Sequence, residues 1–545
     1  MPPWPIAIAV LSVLLFFFPP GAERPPMFME YFYLESAREM LDHGDWITPI
    51  FNETNRFDKP ILFYWMVMLS FKVFGTGLGA ARLVSAVMAL GVVGVTYALG
   101  KSLYGVSTAR WAVLVLITTP LFVLFARTAI PDLTLTFFIT LALFAFQRGV
   151  ASSPPRRSWL SLFYAGAALA TLTKGPLAVL LLGLVTTGFL LTWKERPPLR
   201  ELAPGTGIVI FLTLILPWFV LIVLKHGQTY LNYIWAIQQK AAAGEARYPW
   251  HFYLRHFFWD FLPWSPLVAA GLGIFWRHRR ELTAEKRLPV PWLIVIIVFF
   301  SLVSLKAIRY LLPLTPAFAL LAGWFLDRAT RLSGTVEPKA LRLVGWIAAA
   351  FGLLAGGLLM ALLTSVREWA GHVSGAGYLW PVLLAVTAAA LLVAAVRNSS
   401  HGQAFGIAGV AAAGLLAYFS LVPGFSGPSP AAAFAGRINS ERPIGTSFGV
   451  YRMEVNEWVY EIGPPVISLT DPEDLKRYQA AHPSALIVMT QEDYERAGIK
   501  RTVVAHAARP KRLRWRSDGS VFLFDRLEQD REDFYLTAGP VPVAH

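Results

Sequence analysis

The sequence predicts an all-α integral membrane protein of about thirteen transmembrane helices, followed by a small C-terminal α/β domain. Of its 545 residues, 55% are hydrophobic and only 15% are charged, and the mean hydropathy is +0.52. A soluble protein carries roughly 25% charged residues, so this chain cannot cover itself with a polar surface. Long apolar runs recur up to about residue 424, and beyond it the composition becomes that of a soluble domain.

Thirteen apolar segments approach the length of about 20 residues that a bilayer-spanning helix needs. The first has no preceding Lys or Arg and no small-residue cleavage pattern after it, so we interpret it as a retained helix and not as a signal peptide. The segments are residues 4–19, 80–103, 109–127, 130–149, 158–173, 176–193, 206–225, 261–277, 290–305, 308–327, 342–364, 376–396 and 403–423.

Lys and Arg collect in alternate loops, which predicts that these loops and the N-terminus are cytoplasmic. Residues 1–424 then form a transmembrane domain with two long outward loops, at residues 20–79 and 226–260. An odd number of spans places the tail, residues 425–545, outside as well. In the tail we expect strands at residues 485–490 and 520–525 and helices at residues 471–481 and 491–497.

The first outward loop is the most informative segment for function. Residues 31–40 alternate apolar and charged side chains with helical spacing, and a second aromatic-rich amphipathic stretch begins at Phe63. Two such helices would cover a cavity with a mixed-charge cluster, in which Lys can hold a phosphate as a point charge and Arg as a planar fork. In the alternative interpretation, the loop has no binding role and its charged side chains simply reach from the membrane interface to water. The cluster comprises Glu30, Arg56, Asp58 and Lys59.

Further ionisable residues lie at the outward ends of later spans, where they are candidates for function. Asp132 follows Pro131 at the start of a span, so helix capping is the alternative reading of this carboxylate. On the same predicted side lie Arg127, Lys174, Arg255, Lys306, Arg309 and Tyr310. Many cations with few carboxylates predict a site for an anionic lipid headgroup with a proton acceptor nearby.

The composition also excludes several classes of chemistry. The chain has no cysteine, which excludes disulfides, thiol nucleophiles and Cys-ligated metals. We find no glycine-rich nucleotide-binding fingerprint, and the net charge of +14 reflects topology and does not indicate nucleic acid. His, Asp and Glu show no reliable metal-ligand spacing, so no metal ligand is assigned and a divalent metal requirement is left open.

Several long motifs resemble one family of membrane enzymes. The first outward loop contains YFYLESAREMLDHGDWITPIFNETNRFDKPILFYW, and later segments read FARTAIPDLTLTFFITLALFAF, LTKGPLAVLL and KAIRYLLPLTPAFALLAGW. Over about the first 330 residues, the sequence resembles the GT-C polyprenyl-phosphate-sugar transferases. Within them it is most similar to the branch of lipid A aminoarabinose transferase and the dolichyl-phosphate-mannose-protein mannosyltransferase-like proteins.

This resemblance implies inverting transfer of a sugar from an undecaprenyl-phosphate carrier to an acceptor on the periplasmic face of the bacterial inner membrane. It implies that Asp132 is the acidic residue that opens the fourth span. Asp58 and Lys59 match the family's acidic-Lys-Pro-Pro motif, with Ile61 in place of the second proline. Positions that line the donor phosphate correspond to Lys174, Lys306, Arg309 and Tyr310.

One position departs from the family pattern. The Asp-Glu pair of the first outer loop aligns with Met29-Glu30, so Met29 occupies the place of the usual catalytic aspartate. Three readings stay open: Glu30 acts as the base, Asp132 carries that role, or the chain is an inactive homologue that binds carrier lipid. Neighbouring helical residues point about 100° apart, so Glu30 does not simply replace an aspartate at Met29.

We therefore expect a multi-pass, monomeric glycosyltransferase whose partners are membrane lipids and not nucleic acid. Its donor is an undecaprenyl-phosphate sugar, and its acceptor is a lipid A-type glycolipid or a protein. The alternative from another class is a lipid or solute transporter. A transporter would be expected to have interrupted helices near the bilayer midplane, whereas the charges here cluster at span ends.

Overall fold

The structure, a computed structural model, consists of long apolar helices followed by a small mixed β-sheet. It describes residues 4–17, 27–152, 154–193, 196–243, 248–280, 282–332, 336–365, 375–426, 429–441, 447–497, 502–510 and 531–538. The helices before the sheet are α1 (Trp4–Phe17), α2 (Phe28–Asp42), α3 (Leu62–Phe74), α4 (Leu78–Tyr104), α5 (Val106–Ile117), α6 (Pro120–Ala126), α7 (Asp132–Val150), α8 (Arg157–Lys174), α9 (Leu177–Leu190), α10 (Pro204–His226), α11 (Gln228–Ala243), α12 (Phe252–Trp259), α13 (Ser265–Arg277), α14 (Pro289–Leu302), α15 (Thr315–Arg331), α16 (Val336–Ser365), α17 (Leu379–Val396), α18 (Ser400–Ser426) and α19 (Pro430–Glu441).

Seven helical segments within the described residues are long and apolar enough to cross a membrane, or eight if the bent pair α5 and α6 counts as one span. The membrane-protein class is therefore confirmed. The count of thirteen is not confirmed, because several predicted spans form shorter helices; α9 and α14 have 14 residues each. The seven segments are Leu78–Tyr104, Asp132–Val150, Leu199–His226, Ile308–Arg331, Val336–Thr364, Leu379–Val396 and Ser400–Leu421.

The span predicted at residues 109–127 is broken into two helices. α5 and α6 meet at an angle of 66°. Pro120 disfavours the helical conformation of the residue before it, and Thr119 accordingly has an extended backbone, with φ −80° and ψ 119°. The sequence reading followed the apolar run and overlooked this break.

Close helix packing holds the bundle together where α5 crosses α15. At Gly323 in α15, an added Cβ atom would lie only 2.5 Å from the backbone nitrogen of Ala112 in α5. Any larger side chain would therefore force the two backbones apart. Small residues at such crossings allow the dispersion contacts that hold helices together in lipid.

The two amphipathic helices of the first outward loop are present as α2 and α3, connected by a short hairpin of β1 (Ile50–Phe51) and β2 (Thr54–Asn55). The charged face of α2 differs from expectation, because it is covered and not open to water. Glu35 and Glu39 are only 1% and 2% exposed. Arg38 Nη2 donates to Glu35 Oε1 at 2.5 Å, and the hairpin turn covers Glu39.

The burial of Glu35 predicts a pH-dependent stability. Desolvation raises the pKa of Glu35 to about 8 from its ordinary value of 4.5, although Arg38 opposes the shift. The folded protein then binds this proton more tightly than the unfolded chain does. The stabilising contribution of protonated Glu35 is complete at pH values below its ordinary pKa of 4.5. This contribution is lost as the pH rises through about 8.

We expect the unfolding temperature of the purified protein to fall between about pH 5 and about pH 9, and to fall less in Glu35→Gln. Thermal unfolding followed by intrinsic fluorescence measures both slopes. Glu53→Gln, which changes an exposed carboxylate on the nearby hairpin, is the matched control and should keep the wild-type slope. Equal slopes in Glu35→Gln and wild type would contradict the prediction.

The C-terminal part forms a five-stranded sheet in the order β4-β3-β5-β7-β6. β3 pairs in parallel with β4 and β5, whereas β7 pairs antiparallel with β5 and β6. The α/β class and the helices expected at residues 471–481 and 491–497 are confirmed; residues 520–525 lie outside the described residues. The elements are β3 (Phe448–Tyr451), α20 (Asn456–Ile462), β4 (Val466–Leu469), α21 (Pro472–Ala481), β5 (Ile487–Thr490), α22 (Gln491–Ala497), β6 (Thr502–Pro510) and β7 (Arg531–Ala538).

Candidate active site

Asp132 lies at the centre of a buried ionic cluster at one end of the helix bundle. Its side chain is 4% exposed, and Lys174 Nζ donates to Oδ1 at 2.5 Å. Arg309 Nε lies 4.0 Å from the same oxygen. The three residues come together because α7 begins at Asp132, α8 ends at Lys174, and Arg309 lies in the 3₁₀ turn Ile308–Leu314 before α15.

Lys59, from the first outward loop, completes the cationic side of this cluster. Burial, with the nearby Lys174 ammonium second, lowers the pKa of Lys59, while Asp58, Tyr310 and Asp132 oppose the shift. Its ammonium donates to the backbone oxygen of Asp58 at 2.9 Å. The Lys59 and Lys174 ammonium groups are thus close enough to repel each other, and such neighbouring like charges favour a bound anion.

Aromatic side chains line the same cluster. The ring of Tyr310 lies 4.8 Å from Lys174 Nζ and 5.4 Å from the Arg309 guanidinium carbon. Tyr33 in α2 is buried, and burial raises the pKa of its hydroxyl well above the ordinary value, with Tyr64 and Asp132 adding to the effect. Tyr33 is therefore neutral at physiological pH and can only donate or accept a hydrogen bond.

Asp132 is not used as a helix cap. α7 has no side-chain capping hydrogen bond, and the carboxylate is engaged by Lys174 instead. Among the described residues, Oδ2 has no hydrogen-bond partner, and it is not among the fully buried unpartnered atoms. One carboxylate oxygen thus holds the lysine while the other is open to the site.

A second ionic group lies beside the first. Arg56 Nη2 pairs with Asp58 Oδ2 at 2.7 Å, and Tyr233 in α11 donates to Asp58 Oδ1 at 2.5 Å. The Arg56 guanidinium stacks on the ring of Phe32 at 3.7 Å. Within the described residues, its Nε and Nη1 atoms are buried without a hydrogen-bond partner. Buried donors without a partner are candidate contacts for a bound anionic group.

The carboxylate of Glu30 is already occupied by other partners. Its side chain is 0% exposed and receives two hydrogen bonds of 2.9 Å from Arg82 in α4. The backbone N–H groups of Met27 and Ala129 each donate to it at 2.7 Å. Met29 packs against the apolar core. The geometry therefore disfavours the reading in which Glu30 takes a proton from substrate, because four donors already occupy its oxygens.

Three other predicted site residues are directed elsewhere. Lys306 Nζ donates to the backbone oxygens of Ser301 and Val303, at 2.8 Å each, and to that of Phe300 at 3.4 Å. Arg255 is exposed on α12. Arg127 donates to the backbone oxygen of Leu15 at 3.2 Å and lies 4.5 Å from the ring of Phe419. Their described contacts are structural.

Sequence reasoning missed Arg82, Tyr33 and Tyr233. An arginine within the apolar run of α4 was a usable signal, because an ionisable residue inside a span requires a partner. The two tyrosines gave no such signal among the many aromatic residues of these loops. The described residues contain no group of three or more His, Asp or Glu side chains that could hold a metal ion.

Comparison with known proteins shows which families parts of the chain resemble and which fold it shares. The profile of the dolichyl-phosphate-mannose-protein mannosyltransferase family matches residues 58–221, and that of the Alg9-like mannosyltransferase family matches residues 244–376. The fold matches the crystal structure of ArnT from Cupriavidus metallidurans bound to undecaprenyl phosphate, with a TM-score of 0.73, 23% identity and 99% of both chains covered. The chain therefore has the GT-C fold of these proteins.

More distant GT-C folds match less of the structure. The oligosaccharyltransferase AglB from Archaeoglobus fulgidus aligns with a TM-score of 0.55 and 11% identity, over 90% of this chain and 69% of that one. These structures support the fold alone. The agreement with ArnT extends over the C-terminal sheet, so the sheet is part of the shared GT-C architecture in these two proteins.

Curated relatives of this GT-C protein include arabinosyl transferases. An undecaprenyl phosphate-alpha-4-amino-4-deoxy-L-arabinose arabinosyl transferase of Pseudomonas aeruginosa is 32% identical over 333 residues, 59% of each chain. Its counterpart in Edwardsiella ictaluri is 30% identical over 378 residues, 67% of this chain and 66% of that one. An uncharacterized protein of Aquifex aeolicus is 31% identical over 326 residues, 59% of this chain and 64% of that one. The match thus spans less than two thirds of the length of these relatives.

Proposed function

We propose that this chain transfers a sugar from an undecaprenyl-phosphate-linked donor to a cell-envelope acceptor, a lipid A-type glycolipid or a protein, with inversion at the anomeric carbon. The observation that carries the proposal is the buried cluster of Lys59, Lys174 and Arg309 around Asp132. The site would face the periplasm at the bacterial inner membrane. The names of the relatives support the donor class.

The cations would stabilise the leaving group. In the reaction, the bond between the anomeric carbon and the donor phosphate oxygen breaks, and undecaprenyl phosphate leaves with one more negative charge than the phosphate carried in the donor. Lys59, Lys174 and Arg309 would hold this phosphate, and Tyr310 would border it. Fixed cations accelerate a reaction most when they stabilise negative charge that develops during the step.

Asp132 would accept the proton. The acceptor oxygen attacks the anomeric carbon and loses its proton to a carboxylate, and Oδ2 of Asp132 is the oxygen open to the site. Arg56 and Asp58 would orient the sugar or the acceptor beside it. We propose that Glu30 holds α2 against the turn before α7 and takes no part in proton transfer, since Arg82 and two backbone N–H groups already bind it.

An apolar groove next to the cluster would hold the prenyl chain. A cavity of about 550 Å³ lies between α10 and α11. Phe57, two residues before Lys59, lies 5.2 Å from the ring of Tyr230 in this groove. The segment that carries Lys59 therefore packs against one wall of this groove. Its lining residues include Phe219, Val223, Tyr230, Leu231, Ile234 and Trp235.

Lys174 and Lys306 are expected to contribute differently to donor binding. Lys174→Met should weaken the binding of undecaprenyl phosphate about tenfold or more, because a charge-assisted hydrogen bond is lost. Lys306→Met should weaken it by less than about threefold, since the ammonium of Lys306 is already bonded to three backbone oxygens. Native mass spectrometry in detergent, with titrated undecaprenyl phosphate, measures both affinities. A larger loss in Lys306→Met would reverse our placement of the phosphate.

The activity itself is tested with purified protein in detergent micelles. We expect release of free undecaprenyl phosphate from a sugar-loaded donor in the presence of envelope glycolipid, and mass spectrometry detects both products. Vectorial transport has no meaning in micelles, so glycosylated product excludes the transporter reading. Binding of undecaprenyl phosphate without product from any glycolipid or protein acceptor would instead indicate an inactive homologue.

A further inference from the structure

The tip of the hairpin in the first outward loop is hydrogen-bonded to the edge of the C-terminal sheet through the side chain of Asn52. Asn52 Nδ2 donates to the backbone oxygen of Val466 at 2.7 Å, and the backbone N–H of Val466 donates to Asn52 Oδ1 at 2.8 Å. These two residues are 414 positions apart in the chain. The side-chain amide thus pairs with a strand as a neighbouring strand would.

The sheet offers this pairing because β4 is an edge strand. β4 is the outermost strand, paired with β3 on one side only. An edge strand presents backbone donors and acceptors that need a partner. Asn52 supplies both a donor and an acceptor to Val466, the first residue of β4, so the contact is specific for an amide.

The turn that carries Asn52 is held from the opposite side by α2. Glu39 Oε1 accepts from the backbone N–H of Asn52 at 2.6 Å, and Glu39 Oε2 accepts from that of Glu53 at 2.9 Å. Both turn residues have left-handed backbones, with φ of 54° and 60°. The hairpin tip is therefore fixed between a buried carboxylate of α2 and the edge of the sheet.

The hairpin connects this contact to the proposed site. Phe51 packs in the apolar cluster of the C-terminal sheet, and its ring lies 4.8 Å from Phe32. Phe32 supports the guanidinium of Arg56, whose backbone N–H donates to the Pro49 oxygen at 2.7 Å and closes the hairpin. Asp58 and Lys59 follow directly. Movement of the hairpin would therefore move the residues proposed to hold the donor.

We propose that Asn52 is a positioning residue through which the C-terminal sheet sets the placement of Arg56, Asp58 and Lys59. This inference rests on the proposed function for its effect on the donor, but the mechanical link stands on the contacts alone. It gives the C-terminal sheet a role in the site although, among the described contacts, none of its residues touches the Asp132 cluster.

The test compares Asn52→Gly with Glu53→Gly in the full-length protein in detergent. Glycine accepts the left-handed backbone, so Asn52→Gly removes the amide contact to Val466 without strain at the turn. Glu53→Gly makes the same kind of backbone change one residue later, at an exposed side chain that makes no described contact with the sheet. Asn52→Asp is a second variant, in which a carboxylate would face the Val466 oxygen.

We expect faster hydrogen–deuterium exchange in Asn52→Gly than in wild type, both at Val466 and over residues 56–60, and wild-type exchange in Glu53→Gly. The affinity for undecaprenyl phosphate should fall, and the donor KM should rise, about fivefold or more for the loss of two neutral hydrogen bonds. The unfolding temperature should fall more in Asn52→Gly than in Glu53→Gly, because only Asn52→Gly loses the two hydrogen bonds to Val466. A merely structural contact would lower the unfolding temperature without raising the donor KM.

Wild-type exchange over residues 56–60 in both Asn52→Gly and Asn52→Asp would overturn the inference. Faster exchange at Val466 alone would overturn it too, because the contact would then not reach the site. If wild-type protein neither binds undecaprenyl phosphate nor transfers sugar, the proposed function fails. Faster exchange over residues 56–60 in Asn52→Gly would still support the mechanical link in that case.

Discussion

Replacing Asp132 with asparagine is expected to lower the rate of sugar transfer by about 10²-fold or more, the usual scale for losing a general base. The amide has nearly the volume of the carboxylate but cannot take a proton. Binding of undecaprenyl phosphate should hold or tighten, because removing one negative charge leaves Lys59, Lys174 and Arg309 facing the phosphate. Single-turnover kinetics and native mass spectrometry measure the two effects separately.

A matched control for this variant is Asp327→Asn. Asp327 forms an ion pair of 2.9 Å with Arg331 near the C-terminal end of α15. Arg309 precedes the N-terminal end of that helix, so the control changes a carboxylate at the opposite end of α15 from the proposed site. The control should transfer sugar at nearly the wild-type rate. Loss of undecaprenyl phosphate binding in Asp132→Asn would instead mean that Asp132 only positions Lys174, and full activity would remove the carboxylate mechanism.

Replacing Glu30 with glutamine is expected to destabilise the protein by about 3 kcal/mol, because it removes the carboxylate that pairs with the partly buried Arg82. The neutral side chain also cannot accept all four hydrogen bonds that the carboxylate receives. We expect the unfolding temperature in detergent to fall by roughly 5 °C or more. Transfer by the protein that stays folded should keep the wild-type pH profile.

The double variant Glu30→Gln/Arg82→Gln tests whether the loss of stability in Glu30→Gln comes from the change in charge or from the change in side-chain shape. Removing both charges should restore part of the lost unfolding temperature, since the arginine that lost its carboxylate partner is then gone. A Glu30→Gln protein with an unchanged unfolding temperature, a large loss of turnover and a shifted pH profile would be the contrary result. It would make Glu30 the proton acceptor in place of Asp132.

Periodicity and composition predicted most of the apolar helices of this protein, but not their breaks and not α11 and α12 within the loop at residues 226–260. The amphipathic pattern of residues 31–40 correctly predicted α2, yet its charged side was expected to face water. Glu39 is covered by the hairpin, and Glu35 is buried beside Arg38. Hydropathy describes the side chains of a helix face, whereas the segment that covers the face, here the hairpin 13 and 14 positions after Glu39, is decided by how the loop folds.

The sequence motifs identified the candidate residues of the site, and the structure showed which of them lie together. Asp132, Lys174 and Arg309 were predictable because each lies at the end of an apolar run on the same predicted side of the membrane. Lys306 and Arg309 are three residues apart in one loop, yet the Lys306 ammonium bonds the backbone while Arg309 approaches Asp132. A local pattern cannot make that distinction, since it depends on the direction of each side chain.

The sequence by itself determined that this is a helical membrane protein with charged groups at span ends and a soluble tail. Burial in lipid requires long apolar runs, and such runs can be recognised directly in the sequence. Only the tertiary structure decided that Glu30 is held by Arg82, that Asp132 keeps an open oxygen, and that Asn52 pairs with Val466. Those contacts join residues 42 to 414 positions apart. Their formation depends on how the helices and the sheet pack, which no local pattern encodes.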